Sequence, residues 1–569
     1  VSRSGKLRGL DYSVSVAREN GGFFYLREEQ AFDADDVKTS DQDVDAGFEW
    51  KNLKFNSNVS YSFENGGDLR LNGLFEPGGR EGYEIRTKTT NVINPVTRLT
   101  DEDSDKWEFG GDYSRSLGEL GNLKALFVIN RDKGDEIVNL TKGSGGGLFE
   151  FANEHTIENK SEKIFRASLT KGIGSKQFLE LGGEVAINTF DKSFLNNERR
   201  NVLDVDITAV VTDPFIIANS DDVKIKENRY EIFANHTYNA STALVIQSSL
   251  TAEFSKIVAD NIFAGGSLSR RDTSFTYLKP RINLRYDLSD QDQLRATIEK
   301  KVSQLDFGNF VTRFDQFAEV LRLGNTEIRP EQIWDYSVAF EHRLPNDAGS
   351  LEAEVFYRDY KDHITRVDFT EYEDFGGNPI DADTFFSLPP TTALRDDIDF
   401  TSKSGNIDSA SSYGVNLKTS NRLGFIGLPE AVFSMTYVYE KRRATDQFTG
   451  LKRNFDRVSD HTFNFNYRHD ITALGLAYGF SGEIRSTATS QDISYIWPEK
   501  PIAEIELFAE YNVYEGIKMS IELENLRGVR NTSVFNRYSD HTRFNQLSGK
   551  TTRRTNNWME VTVSLQGTF

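Results

Sequence analysis

Apolar and polar residues alternate along many short stretches of this chain. In the stretch 350–359, for example, Leu351, Ala353, Val355 and Tyr357 are separated by residues that are mostly polar. The final stretch follows the same rule, with one side formed by Met559, Val561, Val563 and Leu565 and the other by Glu560, Thr562, Ser564 and Gln566. Because successive side chains of a β-strand point to opposite faces, each stretch predicts a strand with one apolar and one polar face.

The gaps between these stretches alternate almost throughout between short and long. Short gaps contain turn-forming Gly, Pro or Asn, as at 76–79, 172–175, 239–241 and 514–516. Long gaps cover residues 18–43, 132–161, 190–225, 305–332, 367–407 and 527–556. One short gap, at 65–67, stands where a long one is due.

Short turns at one end of a sheet and long loops at the other are typical of outer-membrane barrels, whereas soluble sandwiches and propellers need not alternate in this way. We therefore predict an all-β fold, a closed antiparallel transmembrane β-barrel of about 22 strands with short periplasmic turns and long extracellular loops. Such a barrel encloses a lumen too wide for side chains to fill, so an open pore or a separate plug must occupy it.

Composition and charge exclude several classes of protein. No shift in composition divides the 569 residues, so one domain over 1–569 is expected. The mean hydropathy of −0.52 and the lack of long apolar runs exclude a helical membrane protein but not a barrel. The net charge of −20 argues against a nucleic-acid partner, whose phosphates attract Lys and Arg. The chain has no Cys and no H-E-x-x-H or G-x-S-x-G motif, so we expect no enzyme.

A more specific signal lies at residues 323–331, which read Leu-Gly-Asn-Thr-Glu-Ile-Arg-Pro-Glu. A predicted hairpin follows, with arms at 332–343 and 350–359. The segment resembles the GN-x-x-L-x-PE signature in the barrels of TonB-dependent outer-membrane receptors, with Ile328 at the usual Leu position. The stretch 356–364, Phe-Tyr-Arg-Asp-Tyr-Lys-Asp-His-Ile, is similar to that family's continuation.

The end of the chain adds to this resemblance. Residues 521–526, the polar loop after them and the last alternating strand are similar to the family's end, and Phe569 resembles the aromatic terminal signal of outer-membrane barrels. The resemblance covers roughly the whole chain, with specific motifs only from Leu323 onward.

The resemblance implies active uptake across the outer membrane of a Gram-negative bacterium, where lipid and lipopolysaccharide surround the barrel. Extracellular loops would capture a scarce or bulky ligand such as a siderophore or an oligosaccharide, a plug would gate the lumen, and TonB would act on the plug. The family's N-terminal plug domain and TonB-binding motif are not recognised in this sequence. Two alternatives stay open, a plugless open channel and a structural or adhesive barrel in a larger surface assembly.

An acidic wall is predicted on the polar faces of the strands near 502–513 and 517–526. Its carboxylates are Glu504, Glu506, Glu510, Glu522 and Glu524. Carboxylates crowded on one wall repel one another unless cations lie nearby. Because family plugs supply arginines to barrel carboxylates, this wall is a candidate plug-docking face. The simpler interpretation is a hydrated wall screened by salt.

Candidate ligand contacts lie in predicted extracellular loops. Arginine pairs bind carboxylates or catecholate-type anions bidentately, and aromatic rings suit sugars or siderophores, although a girdle at the membrane interface explains such rings equally well. The candidates are Arg199, Arg200, Arg270, Arg271, Tyr372, Phe375, Phe385 and Phe386.

Clustered loop carboxylates carry one further hypothesis. Hard oxygen ligands can bind calcium, although solvated loop charge is the simpler interpretation. The candidate ligands are Asp33, Asp35 and Asp36 in one loop and Asp396, Asp397 and Asp399 in another. No cofactor other than this calcium is expected.

Overall fold

The computed structural model describes residues 1–7, 9–88, 95–143, 149–203, 210–212, 216–263, 268–311, 313–315, 320–388, 398–455, 457–514, 516–556 and 558–567. This part of the chain is almost entirely β-structure, and 27 of its strands form one antiparallel sheet. A helix both long and apolar enough to cross a bilayer is absent from the described residues.

The first half of the chain contributes thirteen consecutive strands to this sheet. They are β1 (Ser2–Leu7), β2 (Leu10–Asp33), β3 (Lys38–Ser62), β4 (Gly67–Lys88), β5 (Val96–Ser116), β6 (Asn122–Gly143), β7 (Phe149–Ile173), β8 (Gln177–Leu203), β9 (Val210–Thr212), β10 (Ile216–Asn239), β11 (Leu244–Phe263), β12 (Leu268–Asp287) and β13 (Asp292–Val302).

The second half begins with a separate two-stranded sheet and then rejoins the large one. The separate strands are β14 (Arg313–Asp315) and β15 (Val320–Arg322). The others are β16 (Gln332–Leu344), β17 (Gly349–Asp368), β18 (Ser402–Leu423), β19 (Leu428–Thr445), β20 (Lys452–Arg453), β21 (His461–Ile471), β22 (Leu476–Arg485), β23 (Ala488–Asp492), β24 (Tyr495–Pro501), β25 (Glu504–Tyr514), β26 (Ile517–Glu524), β27 (Val529–Tyr538), β28 (Leu547–Asn556) and β29 (Glu560–Gly567).

Short helical pieces connect some of these strands. The α-helix α1 (Ala382–Ser387) lies between β17 and β18. Turns of 3-10 helix lie at Gly118–Leu120, Phe307–Phe310, Pro345–Asp347, Gly424–Ile426, Thr472–Leu474 and Thr542–Phe544.

Several predicted turns are confirmed. The predicted hairpin after the 323–331 motif is β16 and β17, whose last pair is Leu344 with Gly349. The turn after β7 contains Gly174 with φ 63°, and the turn before β26 contains Gly516 with φ 79°. Glycine adopts these left-handed angles without the steric cost that a Cβ would impose.

The predicted count of about 22 strands is wrong, because the described residues alone contribute 27 strands to the sheet. Part of the difference between the two counts arises because local irregularities interrupt some strands, so that one continuous strand is counted as two. In β22 and β23, Glu483 pairs with Glu504 and Ala488 pairs with Glu499, so one hairpin register continues across the interruption.

The predicted turn at 76–79 is also wrong, because β4 runs through it. Pro77 has no N–H to donate to a neighbouring strand. Pairing with β3 therefore stops at Asn52 and resumes at Phe55, in an unchanged register. Pairing with β5 continues across the proline, where Pro77 lies opposite Asp105, and it keeps the strand extended.

The predicted long loop at 18–43 is a third error. Strands β2 and β3 extend almost to each other, and a tight turn joins them. Oδ1 of Asp33 accepts hydrogen bonds from the backbone N–H groups of Asp35 and Val37, at 3.0 and 2.9 Å. The short gap at 65–67 is then no exception, because it is simply the next turn, at the opposite end of β3.

The predicted alternation of faces is confirmed. In β2, Val16, Phe24 and Leu26 are exposed, whereas Arg27 and Glu29 on the opposite face are buried. We call the two sides of the sheet the apolar face and the polar face.

The sheet's first and last long strands are hydrogen-bonded neighbours. Residues 26–33 of β2 pair with residues 549–556 of β28. At the other end of these strands, β1 pairs with residues 10–15 of β2, and β29 pairs with β26.

The connection between β13 and β16 folds over the polar face where it is described, at residues 303–311 and 323–331, and we call these residues the inner segment. Its buried Leu305, Phe310, Val311 and Ile328 pack with Phe190 of β8, Val223 and Ile225 of β10, and Ile257 and Ala259 of β11. On its other side, Nδ2 of Asn325 donates to the Ser404 carbonyl of β18 at 2.8 Å. Because strands from distant parts of the sheet reach one segment, the sheet curves around it.

Candidate functional site

The sequence motif at 323–331 forms the end of the inner segment. Gly324 lies where the chain passes close to itself, since a Cβ there would stand 2.3 Å from the Phe310 carbonyl oxygen. Only glycine permits that approach. Asn325 holds the segment to β18, and Ile328, which is 2% exposed, fills the apolar cluster.

The charged residues of the motif attach the inner segment to β17. Arg329 forms an ion pair with Asp362 at 2.7 Å, and the Glu331 carboxylate binds Nδ1 of His363. At the base of the segment, the backbone N–H of Ser303 donates to the Glu331 carbonyl at 2.8 Å. In this structure the motif anchors the inner segment across the polar face.

A cavity of ≈ 760 Å³ opens on the polar face where β2 meets the last strands. We call it the Arg–aromatic cavity. Its aromatic and charged lining consists of Phe23, Tyr25 and Trp497, of Arg27, Arg457, Arg485, Arg530 and Arg553, and of Glu499 and Glu504. A second cavity of ≈ 330 Å³ shares Arg457 and Ser490 with it and reaches the inner segment at Asn309.

Guanidinium groups lie over aromatic rings in the Arg–aromatic cavity. The Arg457 and Arg553 guanidinium carbons are 4.8 and 5.6 Å from the centre of the Trp497 ring. The Arg530 guanidinium is 5.0 Å from the centre of Phe23. Cation–π attraction at these distances fixes the direction of each side chain.

Carboxylates neutralise part of this positive charge. Glu29, which is buried, pairs with Arg27 at 2.6 Å and with Arg553 at 3.1 Å. Arg485 pairs with Glu504 at 3.5 Å. A buried carboxylate between two arginines is stable because each desolvated charge has an opposite partner.

The remaining two arginines considered in the cavity, Arg457 and Arg530, differ from each other, because only one has a carboxylate partner. Arg457 forms an ion pair with Glu499. Arg530 has no ion pair with any carboxylate of the described residues, and its side chain is exposed above Phe23. A guanidinium has five N–H donors, and Arg530 lines the cavity without a carboxylate partner among the described residues.

The predicted acidic wall is present but partly neutralised. Glu510 binds Arg468 at 2.8 Å and Lys518 at 3.2 Å, Glu504 binds Arg485, and Glu506 accepts a hydrogen bond from Ser481 at 2.7 Å. The remaining members, Glu522 and Glu524, lie in β26, where Glu524 pairs in register with Glu560. Plug docking at this wall stays a prediction.

Most of the predicted loop aromatics form a buried core. Tyr372 and Phe385 are 7% and 4% exposed, and Phe386 packs edge-on against both. His541 and Phe544 from the connection between β27 and β28 pack against Phe386 as well. As placed, these rings hold two connections together, whereas Phe375 at the tip of its turn is 63% exposed.

The Tyr372 hydroxyl belongs to the same loop core. It donates a hydrogen bond of 2.5 Å to the Asp368 carboxylate. Burial, and then that carboxylate, raise the pKa of Tyr372 well above its usual range, so the hydroxyl remains a donor at any physiological pH.

Of the predicted arginine pairs, the structure describes the side chains of Arg270 and Arg271, which bind other partners than these aromatics. Arg271 forms an ion pair with Glu327 of the inner segment, and Arg270 pairs with Asp260 at 3.5 Å. Arg199 and Arg200 belong to β8, and their side chains lie outside the described residues. A role for any of these residues in ligand binding stays a prediction.

The candidate calcium ligands are dispersed where they are described. Asp33 caps the turn after β2, and Asp36 pairs with Lys550 at 2.6 Å. The structure describes Asp35 and Asp399 but not Asp396 and Asp397. Among the described residues, no group of three or more acidic or His side chains could hold a metal ion.

Of the aromatic and charged residues that line the Arg–aromatic cavity, sequence reasoning named only Glu504, as part of the acidic wall. They come from β2 and from strands around β21–β28, so no local motif contains them. One signal was available. The alternation in β2 places Phe23, Tyr25 and Arg27 together on the polar face, which marks a wall with rings and a cation side by side.

Comparison with known proteins identifies the family. The family described as TonB dependent receptor-like, beta-barrel matches residues 5–526. The siderophore receptor PiuA from Acinetobacter baumannii is 10% identical, with a TM-score of 0.53 over 96% of this chain and 82% of that chain. The ferric-catecholate import receptor Fiu from E. coli K12 is also 10% identical, with a TM-score of 0.53 over 94% and 82%.

At 10% identity these solved structures show a shared fold and nothing further. No curated protein matches the sequence. The family match is independent of them and spans most of the strands described above, including the 323–331 motif. This chain therefore belongs to the TonB-dependent receptor-like β-barrel family.

Proposed function

We propose that this chain is the barrel of a TonB-dependent receptor that takes up a small molecule across the outer membrane of a Gram-negative bacterium. The observation that carries the proposal is the pairing of β28 with β2, together with the exposed apolar face. A sheet can cross hydrocarbon only if its edges are paired, because unpaired backbone groups have no water to bind there.

The proposed barrel is closed, with its apolar face toward lipid and lipopolysaccharide and its polar face toward the lumen. The described connecting residues 369–388, 398–401, 446–455, 457–460 and 539–546 lie at the extracellular end, and turns such as 174–176 lie at the periplasmic end. A plug domain, fused or separate, would occupy the lumen beside the acidic wall, and TonB would act on it. Calcium at the acidic loops would be an accessory to this arrangement.

The ligand we propose is a siderophore-like small molecule. PiuA is a siderophore receptor and Fiu imports ferric catecholates, and both share the fold of this chain. The Arg–aromatic cavity supports the proposal, because its volume lies within the roughly 300–1,000 Å³ of small-molecule sites.

Uptake of iron-55 by whole cells tests this function. The full-length protein would be expressed in a Gram-negative host that lacks its own siderophore receptors, with and without TonB. We expect accumulation of at least one ferric siderophore only when TonB is present. Uptake that persists without TonB would replace this proposal with the plugless channel, and the absence of any uptake, with the protein in the outer membrane, would favour a structural or adhesive barrel.

A further inference from the structure

A patch of exposed apolar side chains lies at the short-turn end of the sheet, in three neighbouring turns. They are the turns Gly424–Ile426 between β18 and β19, Thr472–Leu474 between β21 and β22, and the turn between β25 and β26. Because β19 pairs with β21 and β22 pairs with β25, these turns follow one another along the rim. We call the patch the apolar rim, and its side chains, which are 53–80% exposed, are those of Phe425, Ile426, Leu474, Val513 and Tyr514.

We propose that the apolar rim inserts into a phospholipid surface, the periplasmic leaflet of the outer membrane, so that the barrel is seated deeper on this side. The proposal rests on the proposed function for the statement that this end is periplasmic. It extends the contact with lipid from the strands, which every membrane barrel needs, to the turns that join them. An exposed apolar patch marks a surface that another apolar phase covers.

The apolar rim continues the apolar face of the strands. In β25, Tyr511 and Val513 lie at alternate positions on that face and are exposed, and Tyr514 follows at the end of the strand. In β22, Leu476 pairs with Tyr511, and the next exposed ring on this face is Tyr478. Tyrosine rings are enriched where hydrocarbon meets headgroups. The turns directly beyond these rings therefore lie at headgroup depth.

The composition of the turns favours lipid over a protein partner. Residues 424–427 and 472–475 contain no charged side chain. The N–H of Gly427 donates to the Gly424 carbonyl at 3.0 Å, and the N–H of Gly475 donates to the Thr472 carbonyl at 3.2 Å. Turns whose backbone groups are paired in this way lose little on leaving water. A protein interface surrounds its apolar centre with polar groups that fix the partner, whereas lipid needs no such groups.

Hydrogen bonds hold the three turns in one fixed surface. The Glu430 carboxylate, which follows the first turn, accepts from the Thr472 hydroxyl at 2.5 Å and from the Thr472 N–H at 3.1 Å. The N–H of Asn512 in β25 donates to the Gly475 carbonyl at 2.9 Å. The apolar side chains are therefore presented together, and their insertion costs little further backbone entropy.

Another turn at the same end of the sheet lacks these features. Residues 240–243, between β10 and β11, read Ala-Ser-Thr-Ala and include no large apolar side chain. Strands β12, β13, β16 and β17 separate this turn from the apolar rim. Because it has nothing to insert, we expect this turn to stay in water while the apolar rim enters lipid.

Fluorescence quenching in nanodiscs tests the proposal. The full-length protein would be placed in nanodiscs of dioleoylphosphatidylcholine, where water reaches both ends of the barrel. The chain has no Cys, so Ala473→Cys and the matched control Ser241→Cys each provide one attachment site for an environment-sensitive dye. Both positions are exposed, and neither replaces a side chain of the apolar rim.

The two dyes should report different surroundings. We expect a lipid that carries a nitroxide to quench the dye on Ala473→Cys and aqueous iodide to quench the dye on Ser241→Cys, each much more strongly than the other dye. Equal quenching of both dyes by iodide would overturn the proposal and would leave the apolar rim facing water, as a surface for a protein.

Charges on the apolar rim test whether its side chains cause the insertion. Phe425→Asp and Leu474→Asp, combined in one chain, change side chains that are 80% and 62% exposed, so the variant is expected to fold. It should restore iodide quenching of the dye on Ala473→Cys, because a carboxylate favours water. Thr242→Asp adds a charge to the control turn and should leave that quenching unchanged. The same quenching in all of these chains would also overturn the proposal.

This proposal and the receptor function fail separately. If the dye on Ala473→Cys lies in lipid but cells show no TonB-dependent uptake, the insertion stands and the receptor function fails. If uptake proceeds but iodide quenches both dyes equally, the receptor function stands and the apolar rim does not insert.

Discussion

Removing the side chain of Ile328 should release the inner segment without unfolding the barrel. Ile328 is 2% exposed and packs in one cluster with Phe190, Ile225 and Phe310. Truncation of a buried Ile to Ala costs roughly 2–5 kcal/mol. The cluster joins the segment to the sheet, so most of this cost should appear as easier opening of the segment.

The expected change can be measured by hydrogen exchange. A loss of roughly 2–5 kcal/mol raises the opening equilibrium by roughly 30- to 4,000-fold. In Ile328→Ala, amides of residues 323–331 should therefore exchange faster by a factor in this range, whereas amides of β16 should not change. Mass spectrometry of peptides from the detergent-solubilised protein resolves both regions.

Two control variants make the prediction specific. Ile328→Leu conserves the volume and should cost less than about 1.5 kcal/mol. Ile298→Ala shortens a side chain that is 47% exposed on the apolar face, and it should leave the segment unchanged. Unchanged exchange in Ile328→Ala, or equal acceleration throughout the barrel, would refute the view that this cluster anchors the segment.

Three further perturbations follow from single contacts. Gly324→Ala places a Cβ 2.3 Å from the Phe310 carbonyl oxygen, so hydrogen exchange in the inner segment should accelerate although the change is only one methyl group. Glu29→Gln leaves its two arginine partners without their shared buried carboxylate. It should lower the free energy of unfolding by about 3–5 kcal/mol, as measured by thermal unfolding. Hydrogen bonds from Thr384 lower the pKa of the Asp381 carboxyl in the folded protein. The cap of α1 is therefore complete above the unfolded-state Asp pKa of about 3.9, and it is lost as the pH falls through the lowered pKa of the folded state. Amides of α1, corrected for intrinsic exchange rates, should lose protection in acid in the native protein but not in Asp381→Asn, which caps without titrating.

The alternation of residues predicted the sheet well because burial of one face is a local property of a strand. It also predicted the β16–β17 hairpin, where Pro345 and the following polar residues mark the turn. The turn predicted at 76–79 was wrong, because a proline such as Pro77 can also lie within an extended strand. Pairing with β5, which continues through Pro77, holds β4 extended there.

The candidate site could not be predicted in the same way. Arg553 is buried on the polar face of β28, yet Val561 and Val563, at the same parity in β29, are exposed on the apolar face. The break between β28 and β29 shifts the alternation by one residue, so extrapolation from the last strand assigns Arg553 to the wrong face. Its partner Glu29 is also far away in the chain, and only the pairing of β2 with β28 brings them together.

The central claim is that the sheet closes through β2 and β28, and a disulfide tests it most directly. The chain has no Cys, so Gln30→Cys and Thr552→Cys can be introduced together at directly opposed positions. Opposed residues of antiparallel strands lie within disulfide reach, whereas a Gln30→Cys, Arg554→Cys pair is displaced by two residues and should react much more slowly. We predict rapid, nearly complete oxidation of the opposed pair in outer-membrane fragments. No crosslink, or equal rates for the two pairs, would contradict a closed barrel in this register.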